Sequence, residues 1–93
     1  MQQRCHAFRL YVIGSAQKRN LGQRLSQFLT ELYGQRHELE VIDLLEYPAL
    51  AEQENIIATP LLVRTRSAMK QYITGDFTDR QRLERLLRDS SLE

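Results

Sequence analysis

A chain of 93 residues has room for one domain and not for two, and 42% hydrophobic against 27% charged residues, with four Gly and two Pro, is the balance of a packed globular domain. Thirteen Lys and Arg against twelve Asp and Glu leave a net charge of +1, without the basic excess that gripping a phosphate backbone requires, so nucleic acid is not an expected partner. No apolar run approaches the roughly 20 residues of a membrane span, and the single cysteine, Cys5, excludes an internal disulfide and a four-thiolate metal site, which fits a reducing, cytoplasmic location.

Residues 6–13 alternate, with Phe8, Leu10 and Val12 on one face and Arg9, Tyr11 and Ile13 on the other, and stop at Gly14-Ser15; the period of two predicts a strand. From 20 to 33, Leu21, Leu25, Phe28, Leu29 and Leu32 recur at helical spacing, and Gly34 follows as a stop. Residues 39–45 are rich in β-formers and come after a short polar turn, as the second, parallel strand of a βαβ unit would. Pro48 can open a short helix running to Asn55, because the first helical turn has no use for the missing N–H.

Thr59-Pro60 stands directly before Leu61-Leu62-Val63, a short third strand with proline confined to its start. Residues 66–68 make a polar turn, and 69–74 form a fourth strand antiparallel to the third, since so short a connection closes only a hairpin. Gly75 ends it. Thr78 as N-cap with Gln81 three residues later forms a capping box for a last helix that carries Leu83, Leu86 and Leu87 on one face.

The order β-α-β-α-β-β-α resembles the thioredoxin fold, an α/β architecture with a mixed four-stranded sheet, and that resemblance implies a cis bond at Thr59-Pro60. Dithiol chemistry on such a scaffold needs a thiolate at the start of the first helix, where the helix dipole lowers its pKa. That loop reads Gly14-Ser15-Ala16-Gln17-Lys18-Arg19, and Cys5 lies before the first strand, so disulfide exchange is excluded. His6 and His37 read as exposed or capping histidines, and the pairs Glu52/Glu54 and Asp76/Asp79 as solvated charges near helix starts. Neither catalytic residues nor a metal nor a cofactor is expected.

Five stretches in register carry a further resemblance: Leu10-Tyr11-Val12-Ile13-Gly14, Val41-Ile42-Asp43, Pro48-Ala49-Leu50-Ala51-Glu52, Ile57-Ala58-Thr59-Pro60 and Gly75-Asp76-Phe77-Thr78-Asp79-Arg80. Together they are similar to the KaiB family of circadian-clock proteins. The resemblance implies a module without enzymatic activity that docks on KaiC, a ring-forming RecA-like ATPase, and meets other clock proteins. It also implies an alternative ground-state order, β-α-β-β-α-α-β, that packs as dimers or tetramers, with Gly75 and Asp76 at the junction governing the two arrangements. The chain departs from the family pattern in three places. The loop after Gly14 is shorter and lacks proline, residues 65–69 lack prolines, and Asn55 stands where a lysine is expected. A KaiB-like sensor or oligomerisation domain, partnered by a histidine kinase or a stress-signalling protein, is the alternative reading.

Proteins of the thioredoxin fold present partners to the loop after the first strand, the segment before the proline and the proline turn, which are here residues 15–18, 48–55 and 58–60. The expected partner contacts are Pro48, Leu50, Glu52, Asn55, Thr59 and Pro60, although Leu50 reads equally as core. Arg64 and Lys70 are added from a basic group around the hairpin that includes Arg66. Arg80, Arg82, Arg85 and Arg88 make the last helix basic, which reads first as a solvated face.

Overall fold

The structure, a computed structural model, describes residues 5–66, 70–75 and 77–91. Its elements follow in the order β1 (His6–Val12), α1 (Ser15–Tyr33), β2 (His37–Asp43), α2 (Pro48–Gln53), β3 (Leu61–Arg64), β4 (Gln71–Thr74) and α3 (Arg80–Ser91). The expected β-α-β-α-β-β-α order holds, and the alternative β-α-β-β-α-α-β order is not the one adopted. The sheet runs β2-β1-β3-β4, with β1 parallel to β2 and antiparallel to β3, and β3 antiparallel to β4. This mixed four-stranded sheet is the thioredoxin-like arrangement, and the Thr59–Pro60 bond is cis.

The alternation in β1 divides the core into two layers. Phe8, Leu10 and Val12 face α1 and α3 and pack with Leu21, Leu25, Phe28, Leu29, Leu83 and Leu87, while Tyr11 faces α2 and packs with Ile42, Leu44, Leu61 and Val63. At Gly22 α1 lies close to the sheet. A Cβ there would lie 3.4 Å from the Val41 side chain, at the limit of ordinary van der Waals contact, in a helix position where glycine gives up about 1 kcal/mol of propensity.

Several boundaries differ from expectation. α1 begins at Ser15 and not near residue 20, because its first turn is polar and faces solvent and so adds nothing to the apolar period. β2 leaves the ladder at Asp43, although Leu44 and Leu45 continue the β-forming run, because the Asp43 carbonyl accepts from the amides of Glu46 (3.0 Å) and Tyr47 (3.2 Å) and turns the chain. The N-cap of α3 is Asp79, whose Oδ1 accepts from the Arg82 amide at 3.0 Å, and not Thr78. Phe77, buried at a φ of 56°, delays entry into the helix by one residue. The turn expected at 66–68 and the start of the fourth strand at Met69 fall largely on residues 67–69, outside the described residues, as does Asp76.

Arg64 is the largest departure. Expected on the surface as a partner contact, it is 6% exposed beneath α3. Its Nη2 donates to the Tyr33 hydroxyl (2.9 Å) and to the Leu87 carbonyl (3.0 Å), its Nη1 lies 3.1 Å from His6 Nδ1, and its guanidinium sits 5.0 Å from the centre of the Phe8 ring. His6 stacks on Tyr33 at 3.9 Å and so is not the exposed histidine expected, whereas His37 Nδ1 lies 3.0 Å from the Gly34 carbonyl, at the end of α1, in the capping place expected of it. Next to Arg64 in the ladder, Gln71 donates to the Leu86 carbonyl at 3.0 Å. Two side chains of the β3–β4 hairpin therefore hold the C-terminal half of α3 through the carbonyls of Leu86 and Leu87.

Replacing Arg64 by Ala should lower unfolding free energy by about 3 kcal/mol, since it removes the donor that ties a buried Leu87 carbonyl and the part-buried Tyr33 and His6 together from three elements. Arg64→Lys should recover only part of the loss, because an ammonium lacks the planar fork. Urea denaturation of the three proteins measures both effects.

Candidate functional site

Three connections meet where β1 and β2 end and β3 begins. Gly14, at the N-terminus of α1, gives its amide to Asp43 Oδ1 at 2.8 Å, and the same oxygen accepts the Leu45 amide at 2.9 Å. Asp43 is only 3% exposed, so a buried carboxylate joins the β1–α1 and β2–α2 loops through two charge-assisted hydrogen bonds. Gln17 Oε1 accepts the Ile13 amide at 2.8 Å, and Lys18 reaches Glu46 at 3.4 Å across the same two loops.

The third connection starts at the end of α2. The Asn55 amide donates to Glu52 O and the Ile56 amide to Ala51 O, with Asn55 at a φ of 54°, which is a Schellman motif with asparagine in the left-handed position. Sequence reasoning placed Asn55 among the partner contacts, and the fold gives it this turn. The motif folds Ile56 back against the second core layer and leaves Ile57 97% exposed.

The result is an apolar groove of about 290 Å³ lined by Ile13, Leu44, Pro48, Ala51, Ile56, Ile57, Ala58 and Thr59. Ile13 (46% exposed), Leu45 (67%), Tyr47 (57%) and Ile57 present large apolar side chains to solvent at this end of the sheet. Scattered single apolar residues are ordinary on a protein surface; here Ile13 and Ile57 line the groove itself, and Leu45 and Tyr47 stand exposed in the loop between its lining residues Leu44 and Pro48.

Of the expected contacts, Pro48 and Thr59 line the groove and the half-buried Pro60 follows them; Glu52 is exposed on α2, and Leu50 packs half-buried on the second core layer. Arg64 and Lys70 lie at the opposite end of the sheet, about 20 Å away along a seven-residue strand, Arg64 buried and Lys70 exposed. Gly75 lies at the groove end, directly after β4, with a φ of 132° that a side chain resists. Arg80 is paired with Glu31 and covers the Phe28 ring at 5.2 Å, and Arg88 bonds Glu84 at 2.6 Å, so two of the four α3 arginines are engaged within the chain.

Ile13, Leu45, Tyr47 and Ile57 were not singled out from sequence. The signal was there for Ile13 and Leu45: each extends a strand-forming run past the point where Gly14 or the turn before Pro48 must break it, so neither can keep a place in the ladder. No group of three His, Cys, Asp or Glu able to hold a metal ion occurs among the described residues, and no described helix is long and apolar enough to cross a membrane. A wider depression of about 920 Å³ lies along α1 and β2 over Gly22, Leu39 and Val41; it is the open edge of the sheet and gathers none of the exposed large apolar residues.

Comparison with known proteins gives a consistent result. The family model described as "KaiB domain" matches residues 9–89. The circadian clock oscillator protein KaiB of Acaryochloris marina is 34% identical over 79 residues, covering 84% of this chain and 76% of that protein. The circadian clock protein KaiB3 of Synechocystis is 32% identical over 76 residues, covering 81% and 74%. Among solved structures, the N-terminal domain of Synechococcus elongatus SasA superposes with a TM-score of 0.72 at 24% identity over 96% of this chain and 89% of that one, a likeness of fold.

Asp43→Ala should cost about 2 kcal/mol by leaving two part-buried amides without their acceptor. Amide hydrogen exchange should accelerate at Gly14 and Leu45 in particular, which separates a loss of loop tethering from general destabilisation.

Proposed function

The chain belongs to the KaiB family of circadian clock proteins, and from that premise we propose that it is a non-catalytic docking module whose partner is a KaiC-like, RecA-family ATPase, in a clock or a related signalling system. One observation carries the reading: the end of the sheet where a thiol enzyme of this fold would keep its reactive sulfur holds Ser15, Ala16 and Gln17 beside an exposed apolar groove. What remains there is a surface for binding. The reading takes as partner contacts Pro48 and Thr59, which line the groove, and Glu52, exposed on α2, and adds Ile13 and Ile57 from the lining and the exposed Leu45 and Tyr47.

The reading extends to the β4–α3 junction. Gly75 holds backbone angles that favour glycine, so it is the position from which the C-terminal half would be re-routed into the alternative order, whose products are dimers or tetramers. A second reading is favoured by the likeness to the SasA N-terminal domain over nearly the whole chain. In it the chain is a KaiB-like sensor or oligomerisation domain that serves a histidine kinase or a stress-signalling protein through the same groove.

Size-exclusion chromatography with an ATP-loaded KaiC-type ring ATPase, at about ten micromolar for an affinity in the micromolar range, tests the first reading. Co-elution is expected for the natural chain and is expected to vanish for Ile57→Asp, a change that should leave stability within about 0.5 kcal/mol because the side chain is already in water. Failure of the natural chain to co-elute, or full binding by Ile57→Asp together with Leu45→Ser, would count against it.

A further inference from the structure

The groove has a charge asymmetry that its apolar lining conceals. From Asp43 to Pro60 the sequence has four carboxylates, Asp43, Glu46, Glu52 and Glu54, and no Lys, Arg or His, although the whole chain has a net charge of +1. This stretch builds one wall of the groove through Leu44, Pro48, Ala51, Ile56, Ile57, Ala58 and Thr59. Asp43 is buried and consumed by two amides. Glu46, Glu52 and Glu54 are exposed; Lys18 engages Glu46, and among the described residues no Lys, Arg or His forms an ion pair with Glu52 or Glu54.

Glu52, in α2, and Glu54, at its C-terminal end, are exposed and stand in the chain between the lining residues Ala51 and Ile56, so an occupant of the groove that extends along α2 meets apolar side chains first and then these carboxylates. An acidic partner segment would place like charges beside Glu52 and Glu54, and a partner without charge would leave them to be desolvated without compensation. We propose that the groove takes a protein segment with an apolar anchor flanked by Lys or Arg, the anchor seated among Ile13, Ala51 and Ile57 and the flanking cations facing Glu52 and Glu54. The proposal rests on the docking role inferred above and adds the chemistry of the partner segment.

Two synthetic peptides with the same Leu-Leu-Phe centre, one flanked by Lys and Arg and the other by Asp and Glu, test it by NMR titration of the isotopically labelled full chain. The basic peptide should shift the amides of Ile13, Ala51 and Ile57 and bind about tenfold more tightly than the acidic one, the sum expected of two or three exposed charge pairs. Raising NaCl from about 0.05 to about 0.5 M should shrink the difference, since the pairs are exposed. Glu52→Lys with Glu54→Lys should reverse the preference, while Ile57→Asp should weaken both peptides. Equal binding of the two peptides, preference for the acidic one, a preference untouched by the charge reversal, or shifts confined to the Arg64 end of the sheet would overturn the proposal. The ring-ATPase experiment is independent: a basic preference without ATPase co-elution keeps the groove chemistry and removes the KaiC-like partner, and co-elution without a basic preference does the reverse.

Discussion

A buried guanidinium, with no carboxylate paired to it among the described residues, fixes the C-terminal half of this chain. Arg64 brings a full charge under α3, which costs several kcal/mol in desolvation unless the surroundings replace water. The replacement is assembled from three elements around β3, which carries Arg64: the imidazole of His6 and the ring of Phe8 from β1, the hydroxyl of Tyr33 from the end of α1, and the Leu87 carbonyl from α3. None of these partners is local in sequence. The charge is tolerable only when the hairpin, both long helices and the central strand are all in place, so the interaction reports the complete arrangement and penalises partial ones. Gln71 repeats the device one strand further out by reaching the neighbouring Leu86 carbonyl.

The opposite end of the sheet is organised by the opposite charge. Asp43 spends one carboxylate oxygen on the amides of Gly14 and Leu45, and its carbonyl turns the chain into α2. A redox enzyme of this shape would direct the amide-rich start of its first helix at a thiolate. Here Gly14 is held by the neighbouring loop, and the helix start directly follows Ile13, which lines the apolar groove. The two ends thus divide the work: a buried cation organises the β3–β4 hairpin and α3, and a buried anion organises the loops that carry the groove.

The layout of the fold was legible in the sequence because periodicity reports which face of each element meets the core. The alternation of Phe8, Leu10 and Val12, the helical spacing of Leu21, Leu25, Phe28, Leu29 and Leu32, and Pro60 at the head of β3 each fixed an element and its orientation. Boundaries were less legible where hydrogen bonding overrode propensity, as at Asp43, or where a polar first turn gave no periodic signal, as in α1. Arg64 was misplaced because an arginine beside a hairpin turn looks solvated in one dimension. Its burial depends on Tyr33, His6 and Leu87, whose proximity only the folded chain creates. The site was legible as three loops and less so as side chains. Pro48 and Thr59 reached the groove, whereas Ile13, Leu45, Tyr47 and Ile57 were hidden by being apolar, since an apolar residue in a strand-like run is assigned to the core by default.

That default explains why exposure at these four positions carries so much of the functional argument. Burying a side chain such as Ile57 would gain about 1.5–3 kcal/mol, and the chain forgoes this at several adjacent positions while burying Arg64, a far more costly group, elsewhere. The contrast has a physical cause in the loops. The Schellman turn at Asn55 satisfies two carbonyls of α2 while it folds Ile56 back against the core and leaves Ile57 outward, and the chain rejoins the sheet at Leu61. The hydrogen bonds that end α2 therefore hold Ile57 in water as firmly as they hold Ile56 against the core. An apolar side chain kept exposed by satisfied backbone bonding cannot collapse inward in the absence of a partner, so the groove is ready-made and binding need not spend free energy on opening it.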